Sequence, residues 1–160
     1  MTFDNSKTII KFRIRLFFVT ILALAWLAMV YIIKLIKFPL LGIDDGIWTL
    51  VVVGIWVIVA FLPMILNYQF IFFSDDGENI VFRFFNAGIV GGKKNSVEIS
   101  KRTFAGYTTE SQVLGLSKSI ILFQQVGQKA AKYPPIYISA LTREQRKKVL
   151  QALLLYAPKA

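Results

Sequence analysis

Apolar residues come in two arrangements along this chain: long unbroken runs in the first half, and alternating or helical stripes in the second. Leu16 to Ile33 is 18 consecutive residues without a charge, with Thr20 as its one aliphatic hydroxyl. At helical rise that is about 27 Å, against a hydrocarbon core of roughly 30 Å. Lys11, Arg13 and Arg15 precede the run, and Tyr31, Lys34 and Lys37 close it, all suited to a membrane interface. A second uncharged run, Gly46 to Ser74, is longer than one span needs. Its membrane part is placed at Ile47–Leu66, with Trp48 and Tyr68 as interfacial aromatics and Pro63 in the last turn. Two transmembrane helices are expected, over about 16–36 and 47–66. A cleaved signal peptide would fit the basic start and Ala23-Leu24-Ala25, but the apolar run continues through Trp26, Leu27, Met29 and Val30. The first segment is read as a retained helix.

From residue 67 the period changes. Tyr68–Ser74 and Asn79–Phe85 are aromatic, β-prone runs separated by Asp75-Asp76-Gly77-Glu78, a hairpin signal. Val97–Ser100, Phe104–Thr109, Ser119–Val126 and Ile136–Ser139 are further strand candidates, punctuated by glycines. Short successive strands without intervening helices predict an antiparallel sheet curled into a small barrel or sandwich. The last element differs. Thr142 with Gln145 forms a capping box, Leu141 serves as a staple, and Val149, Leu150, Leu153 and Leu154 recur at helical spacing until Ala157-Pro158. The expected fold is α+β: a two-helix transmembrane hairpin, then a small antiparallel β-barrel or sandwich capped by a C-terminal amphipathic helix. The domain organisation is a basic cytoplasmic N-terminal segment 1–15, a hairpin 16–66 and a cytoplasmic domain 67–160.

Composition and charge sharpen this picture. The 160 residues are 56% hydrophobic and 18% charged, with a formal net charge of +10. Zero His and zero Cys exclude imidazole and thiolate metal sites, disulfides and nucleophile–His pairs, and leave the redox compartment unread. Lys and Arg number four in residues 1–15, two between the spans and thirteen in 67–160. Both richer segments lie outside the hairpin, so both termini are placed in the cytoplasm, with a short outward loop around Phe38–Gly42.

Neither uncharged run carries an acid, a Lys or an Arg, which is poor material for a transporter or channel. Trp26 and Trp56 lie near mid-membrane, where each indole N–H needs a partner. They either fill the hairpin seam or contact another integral membrane protein. Ala25, Ala28 and Gly54 sit at similar depth and would allow close helix packing. Ala87–Lys94 resembles a phosphate loop only superficially: Ala87 stands at the first glycine position and Lys94 where a hydroxyl is required. Nothing in the sequence supports a catalytic, cofactor or metal site. Lys11, Arg13 and Arg15, with Lys93, Lys94, Arg143, Arg146 and Lys147, are the candidates for anionic phospholipid headgroups or an acidic partner. Lys101-Arg102 is a further basic pair. No nucleic-acid-binding motif is present to favour that class of partner.

The order of elements resembles membrane-anchored bacterial proteins with a pleckstrin-homology (PH)-like domain. The residues that carry it are Tyr68-x-Phe70-x-Phe72 directly after the spans, the Asp75-Asp76-Gly77 turn, and Ile136-Tyr137-Ile138-Ser139-x-Leu141-Thr142 before the last helix. The resemblance implies a PH-like fold and a place in the bacterial cytoplasmic (inner) membrane. It does not carry phosphoinositide binding to this chain, because the turn corresponding to the basic motif of eukaryotic PH domains is acidic. The functional expectation is a non-catalytic interaction protein, an accessory subunit of a larger inner-membrane assembly. The alternative is a tethered module that binds lipid headgroups of the cytoplasmic leaflet.

Overall fold

The computed structural model describes residues 1–88 and 92–158. The chain opens with strand β1 (Thr2–Asp4) and helix α1 (Ser6–Leu27), which continues as a π-helical turn over Ala28–Ile32. Helix α2 (Asp45–Ile65) follows. Both helices are long and apolar enough to cross a membrane. Helix α2 ends where Asn67 takes a left-handed φ of 50° and Tyr68 N–H donates to Pro63 O at 2.8 Å. Asparagine is one of the few residues suited to that position.

Seven strands and a helix complete the chain: β2 (Gln69–Ser74), β3 (Asn79–Asn86), β4 (Asn95–Ser100), β5 (Phe104–Gln112), β6 (Ser117–Val126), β7 (Lys129–Lys132), β8 (Ile136–Tyr137) and α3 (Arg143–Tyr156). They form two antiparallel sheets, one in the order β1-β2-β3-β4, the other β5-β6-β7 with β8 also on β6. This corrects the barrel alternative: β4 and β5 are consecutive but belong to different sheets, so the hydrogen-bond ladder does not close. The chain changes sheet at Lys101-Arg102-Thr103, and β5 starts with a register shift between Phe104 and Gly106, where Gly106 takes φ 118°.

The core lies between the sheets and under α3. Ile71, Phe73, Ile80, Phe82, Phe84, Val97 and Ile99 face Ile120, Leu122, Ile136 and Ile138, with Leu141, Val149, Ala152 and Leu153 as the lid. Burying each large side chain of this set contributes about 1.5–3 kcal/mol. The capping box is present: Gln145 N–H donates to Thr142 Oγ1 (3.2 Å) and Thr142 N–H to Gln145 Oε1 (3.1 Å).

Two strands lie outside the sequence expectation. Strand β7 is Lys-Ala-Ala-Lys, with no β-branched or aromatic residue, and is held by pairing with β6 across the Gly127 turn. Strand β1 pairs with β2 (Thr2↔Ser74, Phe3↔Phe73), and Phe3 packs on Phe73 at 5.6 Å between ring centroids. The N-terminal residues are therefore not a separate segment ending at residue 15. One compact unit contains Met1–Ile9 and the chain from Pro63 onward, and the other is Ile10–Leu62.

Candidate functional site

Within the helical unit several polar side chains pair with each other. Trp56 Nε1 donates to Thr20 Oγ1 at 2.9 Å, while Thr20 Oγ1–H donates to Leu16 O at 2.8 Å. Tyr31 Oη and Thr49 Oγ1 share a hydrogen bond of 3.0 Å. Trp26 lies against Trp48, with ring centroids 6.2 Å apart, and its buried Nε1 has no partner among the described residues. Both mid-helix tryptophans thus make intramolecular contacts between α1 and α2. Ala28 is half-buried, Ala25 is exposed, and a Cβ added at Gly54 would meet nothing within 4 Å. The two helices do not pack through Gly54.

The basic residues separate into different places. Lys11, Arg13 and Arg15 are exposed on α1. Lys101 is spent on the acidic turn: its Nζ donates to Asp75 O (2.7 Å) and Gly77 O (2.8 Å) and lies 4.5 Å from the centre of the Tyr156 ring. Arg102 makes an exposed ion pair with Glu78 at 3.7 Å. At the same turn the Met1 amino group contacts Asp75 and Asp76. That amine, followed by the Thr2 hydroxyl, holds the Asp76 carboxyl below the ordinary value, and the amine itself is raised by Asp75 and Asp76.

Lys94 joins an aromatic depression on the outer face of the first sheet, with Phe70, Phe72, Arg83 and Phe85. Phe70 and Phe85 stack at 4.8 Å, and the Arg83 guanidinium lies 5.7 Å from the centre of the Phe72 ring. Lys93 is exposed. Residues 89–91 of the glycine-rich segment lie outside the described residues. Gly92 has a packing reason: a Cβ there would come within 2.8 Å of Asn86 Cβ.

Arg143, Arg146 and Lys147 do come together. The inner stripe of α3 (Val149, Ala152, Leu153) is committed to the core, which leaves these cations and Leu150, Gln151 and Leu154 facing a groove walled by Tyr107 of β5. The groove is open, about 400 Å³, with hydrocarbon below and cations above, and no carboxylate lines it. Arg146 Nη2 donates to Leu141 O at 3.1 Å, and its buried Nε has no partner among the described residues. None of the three cations is ion-paired among the described residues. Guanidinium forks of this kind recognise carboxylate or phosphate oxygens. The arrangement is suited to holding an anion that carries an apolar part.

The start of α3 and both helix ends of the β unit lie together. Gln145 Nε2 donates to Asp4 O at 2.9 Å, and Asp4 Oδ1 accepts the Ser6 N–H that opens α1, also at 2.9 Å. The Ser6 hydroxyl, followed by that N–H, lowers the Asp4 carboxyl below its ordinary value. Two buried amides, which no sequence signal marked, tie this end together. Asn5 donates to Gln69 O (2.9 Å) and accepts from Ile71 N–H (2.8 Å); Gln69 accepts from Tyr137 N–H (2.9 Å), joining the two sheets. Ser117 Oγ–H donates to Leu66 O, directly after α2, at 3.3 Å.

No family model, curated protein or solved structure matches the chain.

Proposed function

We propose that the protein is a non-catalytic, membrane-anchored module of the cytoplasmic (inner) membrane. Helices α1 and α2 cross it as a hairpin with both termini cytoplasmic. The β unit, which we take as PH-like from its two antiparallel sheets and closing C-terminal helix, meets anionic phospholipid headgroups of the near leaflet through the β5–α3 groove. The observation that carries this reading is the placement of Arg143 and Arg146. They lie in the first turn of α3, where Gln145 bonds the carbonyl of Asp4, so these two cations lie close in the fold to the first residues of α1. A cation at an anionic leaflet is worth about 1 kcal/mol, and three of them over an apolar floor favour a surface carrying both phosphate and hydrocarbon. The Lys/Arg distribution supports the topology.

The accessory-subunit reading retains one observation in its favour. Exposed Ala25 and the open position at Gly54 would admit a helix of another integral membrane protein. Trp56, bonded to Thr20, and Trp26, set against Trp48, no longer argue for it.

The test uses the full chain in nanodiscs, with an environment-sensitive dye on Gln151→Cys. In discs containing anionic lipid the dye should become shielded from an aqueous quencher, and this shielding should disappear in neutral discs or when Arg143, Arg146 and Lys147 are changed to Glu. Shielding that is indifferent to lipid charge and to these substitutions would sink the headgroup reading. Stoichiometric co-purification with an integral membrane protein, lost on Gly54→Leu, would put the accessory-subunit reading in its place.

A further inference from the structure

The turn between β5 and β6 uses residues that a simple chain reversal would avoid. Val113 and Leu114 take φ values of 51° and 54°, and Gly115 follows at 86°. Positive φ is rare for residues other than glycine, asparagine and aspartate, and for a β-branched residue such as valine it is a genuine outlier. Hairpin turns with two left-handed residues are ordinarily Asn-Gly or Asp-Gly. Here the turn is closed by Leu116 N–H donating to Val113 O at 3.0 Å, and its side chains are hydrocarbon. They are not buried: Leu114 is 102% exposed, Leu116 65% and Val113 42%. A strained turn with three exposed aliphatic residues gains nothing from water on either count.

Its position supplies the missing solvent. Ser117, the first residue of β6, is buried, and its hydroxyl donates to the carbonyl of Leu66, the residue directly after α2. Ser139 Oγ receives the N–H of Lys118 at 2.9 Å and fixes the next residue of the same strand end. The apolar tip therefore precedes a strand end bonded to the residue that follows α2, with the cation Lys118 immediately behind it. An aliphatic tip followed by a cation is the arrangement of an interfacial anchor, with hydrocarbon in the outer acyl layer and charge among the headgroups.

We infer that Val113, Leu114 and Leu116 insert into the outer acyl layer of the membrane that α2 crosses. They form a third, monotopic contact that fixes the β unit against the leaflet. This rests on the membrane placement of α1 and α2 proposed above. It does not depend on the cationic groove, because hydrocarbon insertion needs no anionic lipid. A depth of about 5–10 Å is usual for such contacts.

The chain has no cysteine, so single labels can be placed freely. The full chain is reconstituted in nanodiscs of neutral phosphatidylcholine with a fluorophore on Leu114→Cys, on Gln128→Cys at the opposite end of β6, or on Ile58→Cys within α2. Quenching by lipids carrying a nitroxide high on the acyl chain is compared with quenching by aqueous iodide. The Leu114 label should be quenched several-fold more by the nitroxide lipid than the Gln128 label, and several-fold less by iodide. Leu116→Cys repeats the test should the first variant fail to fold. Strong lipid quenching at Ile58 with none at Leu114 overturns the inference and leaves the membrane spans standing. A Leu114 label shielded from iodide but untouched by nitroxide lipid also overturns it, since a protein surface would then cover the tip. Absence of lipid quenching at all three sites overturns the inference together with the membrane placement.

Discussion

In α2, Ile47, Leu50, Val51, Val53, Ile55, Val57 and Ile58 are exposed around the helix, whereas in β2 Ile71 and Phe73 are fully buried and their neighbours Phe72 and Ser74 are not. The hydrocarbon is similar in kind, and the difference lies in its period. A helix that is apolar on every side cannot bury itself against one neighbour, and α2 is long and apolar enough to cross a membrane. A strand with alternating sides needs only a second sheet. Hydrogen bonding follows the same division. The helical unit satisfies its backbone within each helix and has a few side-chain bonds, such as Trp56–Thr20. The β unit relies on side chains reaching across the chain, as Asn5 and Gln69 do.

The sharpest way to break this comparison is to remove the same kind of volume from both regions. Phe82→Ala should cost the β unit about 3–5 kcal/mol, because Phe82 is fully buried between Phe73 and the facing sheet. Leu50→Ala on α2 should leave denaturant unfolding of the β unit unchanged. Equal losses for the two would mean that the helices and sheets share one core. Next in size is Asn5→Ala, which strands Ile71 N–H and the Gln69 carbonyl away from water. A loss of about 1–3 kcal/mol is expected, read as faster amide exchange in β2.

Within the helical unit, a double-mutant cycle of Trp56→Phe and Thr20→Val should give a coupling of about 0.6 kcal/mol, with an upper limit near 1.7. No coupling would mean that Trp56 faces outward, which would revive its role as a partner contact. The smallest effect concerns pH. Because the folded Asp4 carboxyl lies below its ordinary value, its contribution to stability is complete above the unfolded value, about 3.9, and is lost as pH falls through the lower folded one. Asp4→Asn should therefore lower stability slightly at neutral pH and flatten the acid limb of the unfolding curve.

Local signals were legible in the sequence. The two long apolar runs appear as α1 and α2, and the Thr142/Gln145 box and the Val149/Leu153 stripe define α3, because each depends on residues within a few turns of one another. Strand β1 was illegible: three residues acquire β structure only by pairing with β2 some seventy positions away, and that pairing moves the N-terminal residues out of the segment ending at residue 15. Strand β7 was illegible for the same reason. Of the basic residues, Arg143, Arg146 and Lys147 line one groove because they are spaced along one helix. Sequence proximity could not reveal that Lys101 belongs to the Asp75–Gly77 turn or that Lys94 sits beside Phe70 and Phe85. The turn Val113–Leu116 left a readable trace, hydrocarbon where a hairpin turn calls for Asn or Asp.

Topology is the most direct test of the account, because the headgroup reading needs the β unit on the cytoplasmic side. A cysteine introduced at Leu41, exposed between the two helices, should react with a membrane-impermeant thiol reagent in intact cells. One introduced at Asn95, exposed at the start of β4, should react only after lysis. Labelling of Asn95→Cys in intact cells, with Leu41→Cys protected, would contradict the account.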